Sequence, residues 1–202
     1  LVPPSITIVI QLLEMLLSLE EGVKSFSVSF AQQGSVMQDI VTGHVLKKLA
    51  KYYAEKINCA DARINLVYHQ WMGAFPTNQK YAEQLISLAT VVASIVGADK
   101  IITKTKQEAA GIPTKEANAE TVANTQYLLR ILNGLPRIHD EQEEEMLVLQ
   151  VNAIMEAVFN DPADTLWRKV FNSIKNGIID VPFSPHIINR NDMITIRDSK
   201  KK

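Results

Sequence analysis

Two short stretches of this 202-residue chain combine side chains that could bind a polar ligand. His69 opens the run His-Gln-Trp-Met-Gly at 69–73, and Lys104 precedes Glu108 by four positions. An imidazole can donate or accept a hydrogen bond, an ammonium group donates, and a carboxylate accepts. Together these groups could hold a ligand that carries both hydroxyls and negative charge.

Each of these residues also has a simpler interpretation. Lys104 and Glu108 could form an exposed ion pair, a common and weak surface feature. His69 could be a hydrogen-bonded core histidine at the end of a strand, and Trp71 and Phe75 could serve packing alone. Residue type does not decide between these alternatives, so the elements that position the residues become important.

The spacing of apolar residues predicts strands that alternate with helices. Period-two alternation predicts strands at 26–30 and 63–69. We also predict a short third strand at 99–104 and a last short strand at 178–181, where apolar residues flank Asp180. Helical spacing predicts six helices, with Ser5 as the N-cap of the first and Gly97 as the C-cap of the third: 6–19, 37–55, 80–96, 113–132, 141–159 and 163–176. Such alternation is typical of an α/β fold with parallel strands, in which sites form where strands end.

The composition excludes several classes of protein. Hydrophobic residues make up 47%, charged residues 21%, and the net charge is −1, so we predict a globular protein that binds neither nucleic acid nor membrane. The most apolar run, 6–19, is too short and too interrupted for a bilayer span, which takes about 20 residues. The single cysteine, Cys59, excludes an internal disulfide and fits a cytoplasmic location.

Several familiar site motifs are absent from the sequence. It contains no Walker phosphate loop, no Gly-x-Gly-x-x-Gly fingerprint and no Gly-x-Ser-x-Gly elbow. The four histidines lack metal-ligand spacing, so we predict no metal site. The Asp-x-His-x-x-Gly signature of small domains that bind a corrin through histidine is also missing.

Four sequence blocks resemble the large subunit of glutamate mutase, also called methylaspartate mutase. They are Leu-Val-Pro-Pro-Ser at 1–5, Met-Gln-Asp-Ile at 37–40, His-Gln-Trp-Met-Gly at 69–73 and Gly-Ile-Pro-Thr-Lys-Glu-Ala-Asn at 111–118. The runs at 180–183 and 197–198 extend the resemblance toward the C-terminus, so that it covers nearly the whole chain. Blocks of this length are far more specific than a short motif.

The resemblance implies a TIM-type (β/α)8 barrel, of which residues 1–202 would form a single domain. This domain would hold about the last four β/α units and the start of a C-terminal extension. A complete barrel typically takes about 250 residues. We therefore expect the first half of the barrel to come from a partner chain, or the sheet to close by self-association.

The resemblance also implies an isomerase of glutamate catabolism. It would interconvert L-glutamate and threo-3-methylaspartate by a radical mechanism, with adenosylcobalamin shared with a separate small cobalamin-binding subunit. Two alternatives stay open: a related cobalamin-dependent mutase of different substrate, and a non-catalytic barrel fragment that serves assembly.

Matching by motif assigns expected cofactor contacts to three residues. Lys104 and Glu108 correspond to residues that hold the ribose of the adenosyl group, and Ile112 corresponds to an apolar contact beside that group. A carboxylate that accepts from ribose hydroxyls and an ammonium group that donates to them would suit this role.

The substrate side is represented by three further residues. His69 corresponds to a residue that lines the substrate cavity and is the catalytic candidate, and Trp71 and Met72 would shape the cavity walls. In the family, the arginines that hold the glutamate carboxylates lie in the earlier half of the barrel. That half is not in this chain, so we expect the chain to be inactive alone.

Overall fold

A computed structural model describes residues 2–136 and 138–196. Leu1 of the first sequence block and the pair at 197–198 lie outside the described residues. The elements follow in the order α1 Pro4–Glu20, β1 Ser25–Ala31, α2 Val36–Lys56, β2 Arg63–His69, α3 Gln79–Val96, β3 Lys100–Ile102, α4 Lys115–Ile131, α5 Glu141–Phe159 and α6 Leu166–Lys175. A 3₁₀ turn, Glu108–Ala110, lies between β3 and α4.

The three strands form one sheet in the order β1-β2-β3. β2 and β3 run parallel, with Tyr68 opposite Ile101. Long helices connect successive strands, as a parallel arrangement requires, because a tight hairpin can join only antiparallel strands. The α/β class and the first three predicted strands are therefore confirmed, whereas the barrel stays a prediction.

The fourth predicted strand, at 178–181, is wrong. In the described structure this segment follows the end of α6, and the backbone N–H groups of Ile178 and Ile179 both donate to the carbonyl oxygen of Ser173. Those hydrogen bonds close the last turn of the helix. The apolar pattern arises because Ile179 is buried, and no neighbouring strand is involved.

Two compact units divide the chain. The first comprises the chain up to Val28, the segment His44–Ile64 and the chain from Asp140 onward, and the second comprises Ser29–Gly43 and Asn65–His139. β1, α2 and β2 contribute residues to both units. The single domain over residues 1–202 stays a prediction.

The first unit is built on α1, which packs against α5 and α6. Eight apolar side chains of α1 are buried, among them Leu12 and Leu16, which explains why its sequence is so apolar. The helix begins one residue before the predicted N-cap, with Pro4 at the first helical position, where a missing N–H costs nothing. Among the described helices, none is long and apolar enough to cross a membrane.

The second unit carries the ends of the strands that precede the site residues. Tyr68 of β2 is fully buried, and its ring lies 4.8 Å from that of Phe30. α3 packs against α4 and ends at Gly97, which adopts the left-handed conformation with φ of 63°. This C-cap confirms the predicted role of Gly97, because glycine pays no steric penalty there.

Candidate functional site

A depression of about 390 Å³ lies in the second unit, beyond the carboxyl ends of β2 and β3. Its lining comes from the loop after β2 and from the loop after β3. The lining residues are Trp71, Met72, Gly73, Ala74, Phe75, Thr77, Lys104, Glu108 and Ala109. Four of the six residues predicted from sequence thus lie together: Lys104, Glu108, Trp71 and Met72.

Lys104 and Glu108 form the polar part of this depression. Nζ of Lys104 lies 3.5 Å from Oε2 of Glu108, and the two side chains are 28% and 25% exposed. The loop brings them together because the N–H of Glu108 donates to the carbonyl oxygen of Thr105, which turns the chain into the 3₁₀ segment. An ammonium and a carboxylate in this setting retain free donors and acceptors for a ligand.

The loop that carries this pair is tied down on both sides. Gln107 donates its backbone N–H to Oγ1 of Thr105 and accepts from the N–H of Thr114 through its side-chain oxygen. Thr114 in turn caps α4 by accepting from the N–H of Ala117. Lys106 binds Glu83 of α3 at 3.1 Å and Glu120 of α4 at 2.8 Å. The loop therefore has a defined path from β3 to α4.

The apolar wall of the depression is stiffened by Trp71. Its indole N–H donates to the carbonyl oxygen of Ala74, three residues along the same loop. A Cβ atom at Gly73 would lie 3.0 Å from the Trp71 ring, so a larger residue there would force a small shift of the indole. Met72 is 62% exposed, so this flexible apolar side chain is available for contact.

His69 is the last residue of β2 and is half-buried, but it is not among the residues that line the depression. Burial lowers the pKa of His69, and the positive charge of Lys104 lowers it further. The imidazole is therefore neutral at pH 7, with one nitrogen as donor and the other as acceptor. Its catalytic role stays a prediction.

Ile112 does not join the other candidates. Its side chain is 99% exposed and lies outside the lining of the depression. The preceding Gly111 ends the 3₁₀ segment with φ of 119°, a conformation that favours glycine. The predicted contact of Ile112 with an adenosyl group stays a prediction.

Two glutamines that the sequence offers without an obvious role proved central to the site. Gln32 follows β1 and Gln70 follows β2, and both side chains are buried. The side-chain oxygen of Gln32 accepts from the N–H of Trp71, and that of Gln70 accepts from the N–H of Lys104. The available signal was their position just beyond a predicted strand, Gln70 directly after 63–69 and Gln32 two residues after 26–30.

Asp39, in the first turn of α2, holds the loop after β1 through a hydrogen bond to its backbone. Oδ1 of Asp39 accepts from the N–H of Gln33 at 2.9 Å, and Oδ2 lies 3.5 Å from the hydroxyl oxygen of Tyr68. Burial raises the pKa of Tyr68 far above its ordinary value, and the negative charge of Asp39 adds to this effect. Tyr68 therefore stays protonated and can donate to the carboxylate.

The fold and the site define an α/β protein whose candidate ligand-binding residues follow the ends of parallel strands. The sequence model of the family described as Methylaspartate mutase E chain (MutE) matches residues 1–202, the whole chain. The chain therefore belongs to this family, and the resemblance read from its sequence blocks is confirmed.

Curated relatives agree with this assignment. The chain is 38% identical over 203 residues to the glutamate mutase epsilon subunit of Treponema denticola and 36% identical over 202 residues to that of Escherichia coli O157:H7. It is 32% identical over 205 residues to that of Haloarcula marismortui. Each match covers 98% of this chain, but only 42%, 42% and 40% of the respective relative. The chain thus spans about two fifths of the length of these relatives.

Proposed function

We propose that this chain is part of an adenosylcobalamin-dependent mutase that interconverts L-glutamate and threo-3-methylaspartate. In this proposal it contributes the side of the active site that faces the adenosyl group. The observation that carries the proposal is the meeting of Lys104 and Glu108 with Trp71 and Met72 in one depression. Membership of the methylaspartate mutase E chain family supports the reaction class.

The donor set fits the proposed cofactor. A ribose diol offers two hydroxyls, each able to donate and accept, and the Lys104–Glu108 pair supplies a donor and an acceptor 3.5 Å apart. The apolar surface of Trp71 and Met72 borders the same depression and suits the face of a purine. When bound, adenosylcobalamin supplies the radical chemistry, which lies beyond the reach of amino-acid side chains.

The residues of this chain would then bind and orient the cofactor and the substrate and keep water out of the site. Lys104 and Glu108 would hold the ribose, and the loop at 71–77 would keep water from that side of the site. His69, with its pKa lowered, would present a neutral imidazole that can donate to a substrate carboxylate without adding a charge.

The same proposal includes partners. A small cobalamin-binding subunit would hold the corrin, and the first half of a (β/α)8 barrel would complete the sheet. In the described part of the chain, β1 and β3 are the outer strands of a three-stranded sheet, so each has an edge on which another strand could pair. Curated relatives more than twice as long as this chain leave room for that half.

Substitution of Glu108 tests the cofactor assignment. In the complete enzyme assembled with its cobalamin-binding subunit, Glu108→Ala should weaken the apparent affinity for adenosylcobalamin more than tenfold and leave the KM for glutamate nearly unchanged. The reason is the loss of hydrogen bonds to a charged group, worth roughly 1.5–3 kcal/mol.

Glu116→Ala is a matched control, because Glu116 is an exposed glutamate in the first turn of α4 and lies outside the depression. It should leave both parameters unchanged. An unaltered affinity of the Glu108→Ala enzyme for adenosylcobalamin would contradict the proposal.

A further inference from the structure

Gln32 and Gln70 make the same two hydrogen bonds to the neighbouring strand and the loop after it in two successive β/α steps. Each follows the last residue of a strand and is almost fully buried, with 4% and 0% exposure. The backbone N–H of Gln32 donates to the carbonyl oxygen of His69 at 2.9 Å, and that of Gln70 donates to that of Ile102 at 3.1 Å. Each glutamine thereby binds the last residue of the next strand.

The next hydrogen bond departs from a regular ladder in the same way at both places. In a regular parallel ladder, the residue that donates its N–H also accepts, through its backbone carbonyl, from the residue two positions further along the neighbour. Here the N–H of Trp71 donates to Oε1 of Gln32 at 3.1 Å, and the N–H of Lys104 donates to Oε1 of Gln70 at 2.8 Å. The side-chain oxygen takes the place of the backbone oxygen.

We call this arrangement a glutamine clamp. The glutamine lies directly after a strand, and its backbone N–H and side-chain Oε1 bind the two peptide groups that flank one residue at the end of the neighbouring strand. The clamp therefore joins the two segments just beyond the last backbone hydrogen bond between them. It therefore fixes the point at which each site loop leaves the sheet.

The Gln70 clamp has only one possible orientation. Its Nε2 donates to the carbonyl oxygen of Ile86 at 3.3 Å and to Oγ1 of Thr90 at 3.2 Å, both in α3. A flipped amide would set its NH₂ group against the N–H of Lys104 and leave the carbonyl of Ile86 facing an oxygen. A buried amide with all these bonds made is costly to move, because each unmade bond would leave a polar group unsatisfied.

We propose that Gln70 is a positioning residue for the cofactor side of the site and acts by holding the backbone of Lys104. This inference rests on the proposed function, in which Lys104 and Glu108 contact the adenosyl group. The N–H that Gln70 binds belongs to the residue whose Nζ reaches Glu108, so the clamp sets the origin of that side chain. Small displacements of a positioning group lower binding and rate strongly.

The test compares two probes in the assembled enzyme: adenosylcobalamin, and methylcobalamin, which lacks the adenosyl group. Gln70→Met has a similar length but offers no acceptor to Lys104. It should raise the Kd for adenosylcobalamin about tenfold, equivalent to about 1.4 kcal/mol, and change the Kd for methylcobalamin by less than about twofold.

A purely structural role would give a different result. Val92→Ala truncates a fully buried apolar side chain of α3 that forms none of the clamp's hydrogen bonds, and it should destabilise the fold without altering the ratio of the two Kd values. If Gln70→Met does not fold, Gln70→Asn gives the same test, because its amide is shorter by one methylene and cannot reach Lys104.

Two results would overturn the inference, and they are distinguishable. If Glu108→Ala removes the preference for adenosylcobalamin over methylcobalamin while the Gln70 variants keep it, Gln70 does not position Lys104 and Glu108, and the proposed function stands. If Glu108→Ala also keeps the preference, the cofactor assignment itself is wrong and the role of Gln70 falls with it.

Discussion

Gly43 in α2 packs closely against side chains of β1 and α3 in the second unit, and replacing it tests whether that packing is as tight as the structure shows. A Cβ atom at this position would lie 2.8 Å from Cζ of Phe30 and 3.0 Å from Cβ and Cγ1 of Val96. Ordinary carbon contacts are about 3.5–4.0 Å, so α2 would have to move by roughly half an ångström or more.

Two opposing effects determine the magnitude for Gly43→Ala. Overpacking a well-filled core costs about 1–3 kcal/mol. Alanine in place of glycine within a helix returns about 1 kcal/mol. We expect the variant to lose about 1 kcal/mol of unfolding free energy, which for an m-value of about 2 kcal/mol/M lowers the urea midpoint by about 0.5 M.

Far-UV circular dichroism during urea unfolding measures this midpoint. Ala119→Gly, at an exposed position of α4, measures the helix-propensity effect alone in the same protein and should cost about 1 kcal/mol. Phe30→Leu removes the Cζ atom and should partly relieve the cost of Gly43→Ala in the double variant. A Gly43→Ala protein that is more stable by about 1 kcal/mol would refute the reasoning, because it would show the propensity gain with no packing penalty.

Two further predictions concern the first unit and the sheet edges. Burial alone raises the pKa of Asp180, but hydrogen bonds from the N–H groups of Met193, Asn191 and Asp192 and from the side chain of Asn189 outweigh it, so the pKa is lowered. The ionised Asp180 stabilises the fold above the unfolded pKa of about 4, and this stabilisation is lost as the pH falls through the folded pKa. Asp180→Asn should therefore lower the urea midpoint at pH 7, and the difference from the parent protein should shrink below about pH 4. An equal difference at both pH values would contradict this prediction. The outer strands β1 and β3 predict association of the isolated chain in sedimentation velocity, whereas a compact monomer that unfolds cooperatively would argue against the partial barrel.

The local sequence determined the helices and the first three strands, because periodicity and capping act over a few residues. The strand predicted at 26–30 is observed at Ser25–Ala31, and that predicted at 63–69 is observed at Arg63–His69. Gly97 was identified as a C-cap because it directly follows the apolar helical pattern, and glycine adopts the left-handed conformation without a steric penalty. The motifs also led to Lys104, Glu108, Trp71 and Met72, which the structure brings to one depression.

Tertiary structure decided the features that depend on distant partners. The apolar run at 178–181 fits a strand, but a strand needs a neighbour, and the N–H groups of Ile178 and Ile179 are taken by the end of α6. Ile112 lies in a matching motif, yet the loop leaves it outside the depression.

The glutamine clamps also depend on distant partners. Gln32 and Gln70 are polar residues that could have been exposed, and they are buried because the chain after the next strand presents an N–H within reach of each amide oxygen. Which donors come within reach is set by strand order and register, and these are properties of the assembled sheet that no single segment of sequence contains.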